Sequence, residues 1–246
     1  MNQYDIMYPL ANRPNQDDFE LRYSLRSIDK LPWVRDLYLV GHQPEWIKDA
    51  VHIQCPDPYI RCKDANIINK ILRVCAESTI SDKFIVNSDD QYVLKDIGSE
   101  MLGPWIEDPP LLPQAHKKRY ASRWALRIVE TVNILESFGF PRRVFQSHIP
   151  YMVEKDKYPQ IMTWVPWGQD NGVITHIYQG IRYARLDVKP EPKNLTVRFK
   201  GPVQTKQEID QALGNATFFN FGDQGLNNPL REWLKERFPE KSRWEK

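Results

Sequence analysis

The run Phe84-Ile85-Val86-Asn87-Ser88-Asp89-Asp90 passes from three apolar residues to an amide, a hydroxyl and two neighbouring carboxylates. Hard oxygen donors set side by side suit Mg2+ or Mn2+. A cation held by Asp89 and Asp90 would neutralise a diphosphate as it departs, with the Asn87 amide beside them as a further ligand contact. The same residue types also dominate plain polar turns, so the reading depends on where the backbone delivers them. Two more features could serve an anionic ligand. Arg22 and Arg26 fall one helical turn apart, a spacing that fits either a phosphate clamp or an ordinary solvated face. His148 is a lone histidine, a type usually found as a satisfied structural residue. An unperturbed imidazole titrates near neutrality and would suit a base taking a proton from a hydroxyl. His42 is the weaker candidate of the two.

The elements that must place these groups follow from periodicity. Residues 4–8 read as a first strand. A helix begins near Asp17, with Glu20 in capping-box spacing and an apolar stripe at Leu21, Leu25 and Ile28. Residues 37–40 give a second strand, ending at Gly41 and His42. Residues 64–77 give a helix with Ile68, Ile71, Leu72 and Cys75 inward, and residues 84–86 give the next strand. Such alternation implies a parallel sheet with right-handed crossovers, and ligands of such sheets bind beyond the carboxyl ends of the strands. Asp89 and Asp90 would sit there.

Four prolines in residues 104–113 predict an irregular connection. Beyond it, Lys117, Lys118, Arg119, Arg123 and Arg127 interleave with Tyr120 and Trp124 on a helix that Gly139 ends. This cationic stretch is either a solvated face or a contact for phosphates of a donor or of a nucleic-acid backbone. Residues 187–207 read as loop and strand, and residues 230–238 as a terminal helix.

Composition bounds the class. With 246 residues and 41% apolar content the chain can fill the core of one large α/β domain or of two small ones. No apolar run approaches the ~20 residues needed to span a bilayer, and the start of the chain lacks a basic-then-apolar signal pattern. A soluble, cytoplasmic protein is expected. Cys55, Cys62 and Cys75 fit neither a disulfide framework nor a zinc spacing. A formal charge of +2 does not mark the whole molecule as a polyanion binder.

Phe19-Glu20-Leu21-Arg22-Tyr23-Ser24-Leu25-Arg26-Ser27-Ile28, Leu31-Pro32-Trp33-Val34-Arg35 and Gln43-Pro44-Glu45-Trp46-Ile47 resemble blocks of the Stealth family of sugar-phosphate transferases, which includes capsule polysaccharide enzymes and N-acetylglucosamine-1-phosphotransferase. Residues 84–90 are similar to its Phe-Ile-Tyr-Asn-Asp-Asp segment with one residue inserted. Ser147-His148-Ile149-Pro150-Tyr151-Met152 is similar to its His-x-Pro-His-Met block, which puts an active-site histidine on His148. Phe219-Asn220-Phe221-Gly222-Asp223 and residues 238–245 resemble its last block, bringing Asp223 into the predicted site. The opening motif matches only in part, keeping Asp5 as a nucleotide-site candidate but placing Asn12 where the family has an acid. Pro166 stands where the family carries an arginine near its Glu-Asp pair, leaving Arg143 or Arg182 to replace it.

The resemblance spans about residues 19–245 and implies a single α/β domain of glycosyltransferase-A-like fold over residues 1–246. Its mainly parallel central sheet would be flanked by helices, with a nucleotide-binding half (1–103) and an acceptor half (104–246). It implies a metal-dependent transferase moving a sugar or sugar phosphate from a sugar nucleotide to an acceptor hydroxyl. The metal would be Mg2+ or Mn2+ on Asp89 and Asp90, Arg22 and Arg26 would order the diphosphate, and His148 or Asp223 would serve the acceptor. The acceptor is a glycan or, as for bacteriophage DNA glycosyltransferases, a hydroxymethylated base flipped from DNA, with Lys189, Lys193, Lys200 and Lys206 as further backbone contacts. A noncatalytic glycan- or nucleotide-binding module is the alternative of a different class.

Overall fold

The computed structural model describes residues 3–12, 17–107, 123–145, 148–168, 174–222 and 224–246. Its main sheet contains β1 (Tyr4–Leu10), β2 (Val34–Gly41), β3 (Ala50–Ile53), β4 (Lys83–Val86) and β6 (Tyr151–Glu154), in the spatial order β3-β2-β1-β4-β6. The first four strands are mutually parallel and β6 runs antiparallel to β4. A smaller sheet joins β5 (Gln91–Val93), β8 (Phe218–Phe221) and β7 (Thr196–Phe199), in that order. Strands β1, β2 and β4 and the stripe of the first helix appear where apolar spacing predicts them. The four-residue edge strand β3 and the strands β5 and β8 of the small sheet do not follow from any spacing signal.

Residues on the central strands alternate between two packed layers, as a pleated strand requires. Ile6, Tyr8, Leu37, Leu39 and Ile85 join Leu21, Leu25 and Ile28 of α1 (Phe19–Ile28) in one core. Met7, Tyr38, Val40, Phe84 and Val86 join Ile68, Ile71 and Val74 of α2 (Lys63–Cys75) in the other, together with Tyr158 and Tyr178. Burial on both faces is why these strands read as continuous apolar runs. A third core packs the small sheet against α6 (Lys206–Leu213) and α7 (Asn228–Arg237), with Tyr92 stacked on Phe219 at 4.6 Å and Trp233 edge-on to it at 5.5 Å. Three further helices complete the covering layers: α3 (Arg123–Ser137), α4 (Lys157–Met162) and α5 (Ile177–Arg182). Gly139, at φ 73, follows α3 in the left-handed conformation. Among the described residues no helix is long and apolar enough to cross a membrane. All three cysteines are buried and free.

Three local details differ from the expected pattern. The capping box at α1 does not form: Asp18 takes a left-handed φ of 48, Asp17 accepts the Phe19 N–H at 3.1 Å, and Glu20 turns toward other carboxylates. Asp5 lies near the start of β1, away from the carboxyl rim. It is fully buried and held by Arg35 at 2.7 and 2.8 Å and by the Ser81 hydroxyl at 2.7 Å, a structural tie in place of the expected ligand contact. Arg22 and Arg26 both engage Glu245, where a diphosphate clamp was expected. Arg22 donates to Oε2 at 2.7 Å, and Arg26 donates to both oxygens at 2.7 and 2.9 Å and to the Phe238 carbonyl at 3.0 Å.

The Glu245 carboxylate has no exposed surface. Burial pushes its pKa up, but Arg26, the Ser242 N–H and Arg22 outweigh that and hold it at about 2. A folded value below the unfolded one means the stabilisation is complete above pH ~4.5 and is lost as the pH falls toward 2. Glu245→Gln, which leaves two guanidinium groups without their partner, is expected to cost about 3 kcal/mol in urea unfolding at pH 7. The same variant should show a shallower loss of stability than the native chain between pH 4.5 and 2.

Candidate active site

Beyond Val86 the chain emerges at the carboxyl rim of the parallel sheet. The Asn87 N–H reaches back to the Met7 carbonyl at 2.9 Å, and the turn through Ser88, Asp89 and Asp90 leads into β5. This turn forms one wall of a cavity of about 510 Å3, whose other walls come from β1's exit (Pro9, Ala11, Asn12), the loop and face of α2 (Asp57, Tyr59, Lys63, Asn66, Lys70) and the end of β8 (Phe221, Gly222). A smaller cavity of about 170 Å3 meets it at Ala11, Glu20 and Asp89 and also contains Asp17, Asp18, His42 and Arg231. His42 faces Asp18 there at 3.4 Å.

Three carboxylates, Glu20, Asp89 and Asp90, face one another in the site. Neither Asp89 nor Asp90 forms an ion pair among the described residues. Burial raises the Asp89 pKa, and Asp90 adds to it. Glu20, in the first turn of α1, is raised to about 7 by burial, then by Asp89 and Asp90. In the sequence its spacing reads as a helix cap, which hides this environment. Like charges gathered without a partner are the environment a cation relieves. No group of three or more His, Cys, Asp or Glu among the described residues could hold a metal ion by itself. Two carboxylates nonetheless fit Mg2+, which usually takes one or two acids and completes its shell with substrate phosphates and water.

Asn87 is only 2% exposed. Its amide donates to the Tyr8 hydroxyl at 2.7 Å, so it supports the acid turn from beneath. Behind Gly222, the end of the Arg198 side chain lies close enough to touch any added Cβ, and Arg198 bonds to His148 Nε2. The His148 carbonyl accepts the Asn220 amide at 3.1 Å, which fastens this histidine to β8. Burial lowers the His148 pKa to about 3, helped by Arg198, then His176 and Lys200. The near-neutral value expected from the sequence is thus corrected: this imidazole is neutral at pH 7 and a weak base. Asp223 lies outside the described residues, one position beyond Gly222 on the cavity wall.

Some of the basic groups counted as phosphate contacts are engaged elsewhere, while Lys189, Lys193 and Lys200 are exposed. Arg127 pairs with Asp64, Lys206 with Glu236, and Arg182 with Glu154 at 2.7 Å, while Arg143 donates to the Leu186 carbonyl at 2.9 Å. Residues 108–122, with most of the cationic stretch, are outside the described ones. Lys63, Lys70, Asp57 and Arg198 are site residues that sequence reading passed over. For the two lysines, a seven-residue interval on one helix face was the available signal.

No protein-family model matches the chain, and no curated protein matches it either. Solved structures do. The galactosyltransferase LgtC in complex with donor and acceptor sugar analogs is similar over 97% of this chain and 96% of its own, with a TM-score of 0.52 and 10% sequence identity. An active-site mutant of LgtC is similar over 95% and 94%, with a TM-score of 0.51 and 10% identity. The architecture is glycosyltransferase-A-like, a single α/β domain with a mainly parallel sheet between helices. At this identity the likeness is one of fold, and function must be argued from the site.

The histidine geometry is testable. Imidazole 15N shifts of His148 are expected to stay those of a neutral ring from pH 8 down to about pH 4. Arg198→Gln, which removes the adjacent positive charge, should move the midpoint upward. A midpoint near 6.5 in the unaltered chain would contradict the burial and charge described for this residue.

Proposed function

We propose that the protein is a sugar-nucleotide-dependent glycosyltransferase whose reaction takes place in the 510 Å3 cavity. The observation that carries this reading is the unpaired Asp89–Asp90 turn at the carboxyl rim of the parallel sheet, which is the ligand-binding edge of such sheets. The likeness of fold to LgtC, a galactosyltransferase solved with donor and acceptor sugar analogs, supports it. In this reading residues 1–103 form the donor half, because they supply nearly the whole cavity lining, and residues 104–246 form the acceptor half, which reaches the cavity at Phe221 and Gly222.

Asp89 and Asp90 are the residues that would hold Mg2+ or Mn2+, which when bound supplies positive charge to a departing diphosphate. Asn87 keeps their turn in place from below. The acceptor oxygen bonds to the anomeric carbon, the bond from that carbon to the diphosphate oxygen breaks, and a nucleoside diphosphate leaves. His148, weakly basic and bonded to Arg198, orients that arginine at the acceptor side. Asp223, next in sequence to Gly222, is the candidate to accept the hydroxyl proton.

Transfer of sugar phosphate, as the Stealth resemblance implies, needs attack at phosphorus and would release a nucleoside monophosphate. Pro166 in place of the family's arginine, with Arg143 and Arg182 engaged elsewhere, favours glycosyl transfer over it. A carbohydrate acceptor is preferred to hydroxymethylated DNA because LgtC, the structure similar in fold, was solved with an acceptor sugar analog.

Incubation with a panel of sugar nucleotides and Mn2+ is expected to yield nucleoside diphosphate by mass spectrometry. Asp89→Asn and Asp90→Asn should each lower turnover by about 100-fold or more, the scale of a lost electrostatic contribution to the transition state. Turnover that survives the double substitution would remove the site assignment, and monophosphate as product would select the phosphotransferase chemistry.

A further inference from the structure

The cavity beside the acid pair carries its positive charge unevenly. Two lysines on one face of α2 line it, Lys63 in the first turn and Lys70 two turns on, about 10 Å apart along the helix axis. Lys70 is 2% exposed and its ammonium is spent on Asp57, whose other oxygen accepts the Asn12 N–H at 2.8 Å. That end of the cavity is close to neutral.

Lys63 differs in each respect. It is exposed on the cavity wall and has no ion-pair partner among the described residues. Its charge is nevertheless felt by Asp89 and Glu20, lowering the pKa of both against the larger effect of burial. A partnerless lysine on a convex surface is merely solvated. On the wall of a cavity that also holds an unpaired acid pair, it sets a positive and a negative pole facing one space, and such clefts focus their field on whatever enters.

We infer that Lys63 binds the diphosphate of the donor, with the nucleoside toward the Asp57–Lys70 end and the phosphates between Lys63 and the acid turn. This rests on the reading of the cleft as a sugar-nucleotide site. The ammonium donates charge-assisted hydrogen bonds to phosphate oxygens. It also offsets charge that grows on the diphosphate as the glycosidic bond breaks, so its contribution rises toward the transition state. A nucleoside monophosphate, lacking the second phosphate, gains less from it.

The test measures binding of UDP, GDP, CDP and ADP, and of the matching monophosphates, to the full chain by calorimetry with and without Mn2+. For any diphosphate that the unaltered protein binds, Lys63→Ala should raise Kd about tenfold or more, the low end for a charge-assisted hydrogen bond. Lys63→Arg should restore most of the affinity, monophosphate binding should change by less than about twofold, and the melting temperature should match that of the unaltered chain. Unchanged diphosphate affinity in Lys63→Ala, or equal weakening of mono- and diphosphates, overturns the assignment while the donor reading stands. An unaltered protein that binds none of the four diphosphates overturns both.

Discussion

The turn bearing Asp89 and Asp90 is held by a buried chain of hydroxyls, and the geometry of the cleft depends on it. Tyr8 of β1 and Ser24 of α1 share a hydrogen bond of 2.9 Å, and the Asn87 amide caps the Tyr8 oxygen at 2.7 Å. Ser24 also donates to the Gln91 carbonyl at 2.7 Å, and Ser27 accepts the Val93 N–H at 3.1 Å. Burial pushes the Tyr8 phenol well above its ordinary pKa, keeping it a neutral donor throughout the physiological range. Buried polar groups are costly when left unmade and rigid when satisfied. Here they lock a strand exit, a helix and the next strand into one unit, so the acid turn inherits the stiffness of the core below it.

Charge is distributed with the same economy. Away from the cleft, several buried or half-buried acids have partners: Asp5 with Arg35, Glu245 with Arg22 and Arg26, Asp64 with Arg127, and Glu154 with Arg182. Asp89 and Asp90 lack them among the described residues. An unpaired buried carboxylate is expensive, and groups kept in that condition cluster at functional sites. What sets the pair apart is that two such carboxylates are adjacent and line a cavity at the carboxyl rim of the parallel sheet.

The central sheet was legible because its strands are buried on both faces and its helices carry stripes at helical spacing: β1, α1, β2, α2 and β4 all fall where apolar periodicity predicts. β3, β5, β6 and β8 were not, since they owe their conformation to partners distant in sequence, while β7 falls within residues 187–207, which read as loop and strand. The same distinction governs the site. Asp89 and Asp90 announce themselves by following an apolar run. Arg22 and Arg26 present the same helical spacing whether they meet phosphate or Glu245, more than two hundred positions away. His148 owes its low basicity to burial and then to Arg198 of β7, and Glu20 owes its raised pKa to burial and then to Asp89 and Asp90. Tertiary neighbours decide these properties, and no local pattern carries them.

The Glu245 tie spans 223 residues to Arg22 and 219 to Arg26. Closing so long a loop adds little to the equilibrium cost, only about 0.6 kcal/mol per doubling of length, but contacts this remote form late. On the ribosome α1 emerges long before its carboxylate partner has been translated. Until then both guanidinium groups lack the carboxylate that joins them in the folded chain. The first helix therefore spends most of synthesis without the ion pairs that fasten it in the finished protein.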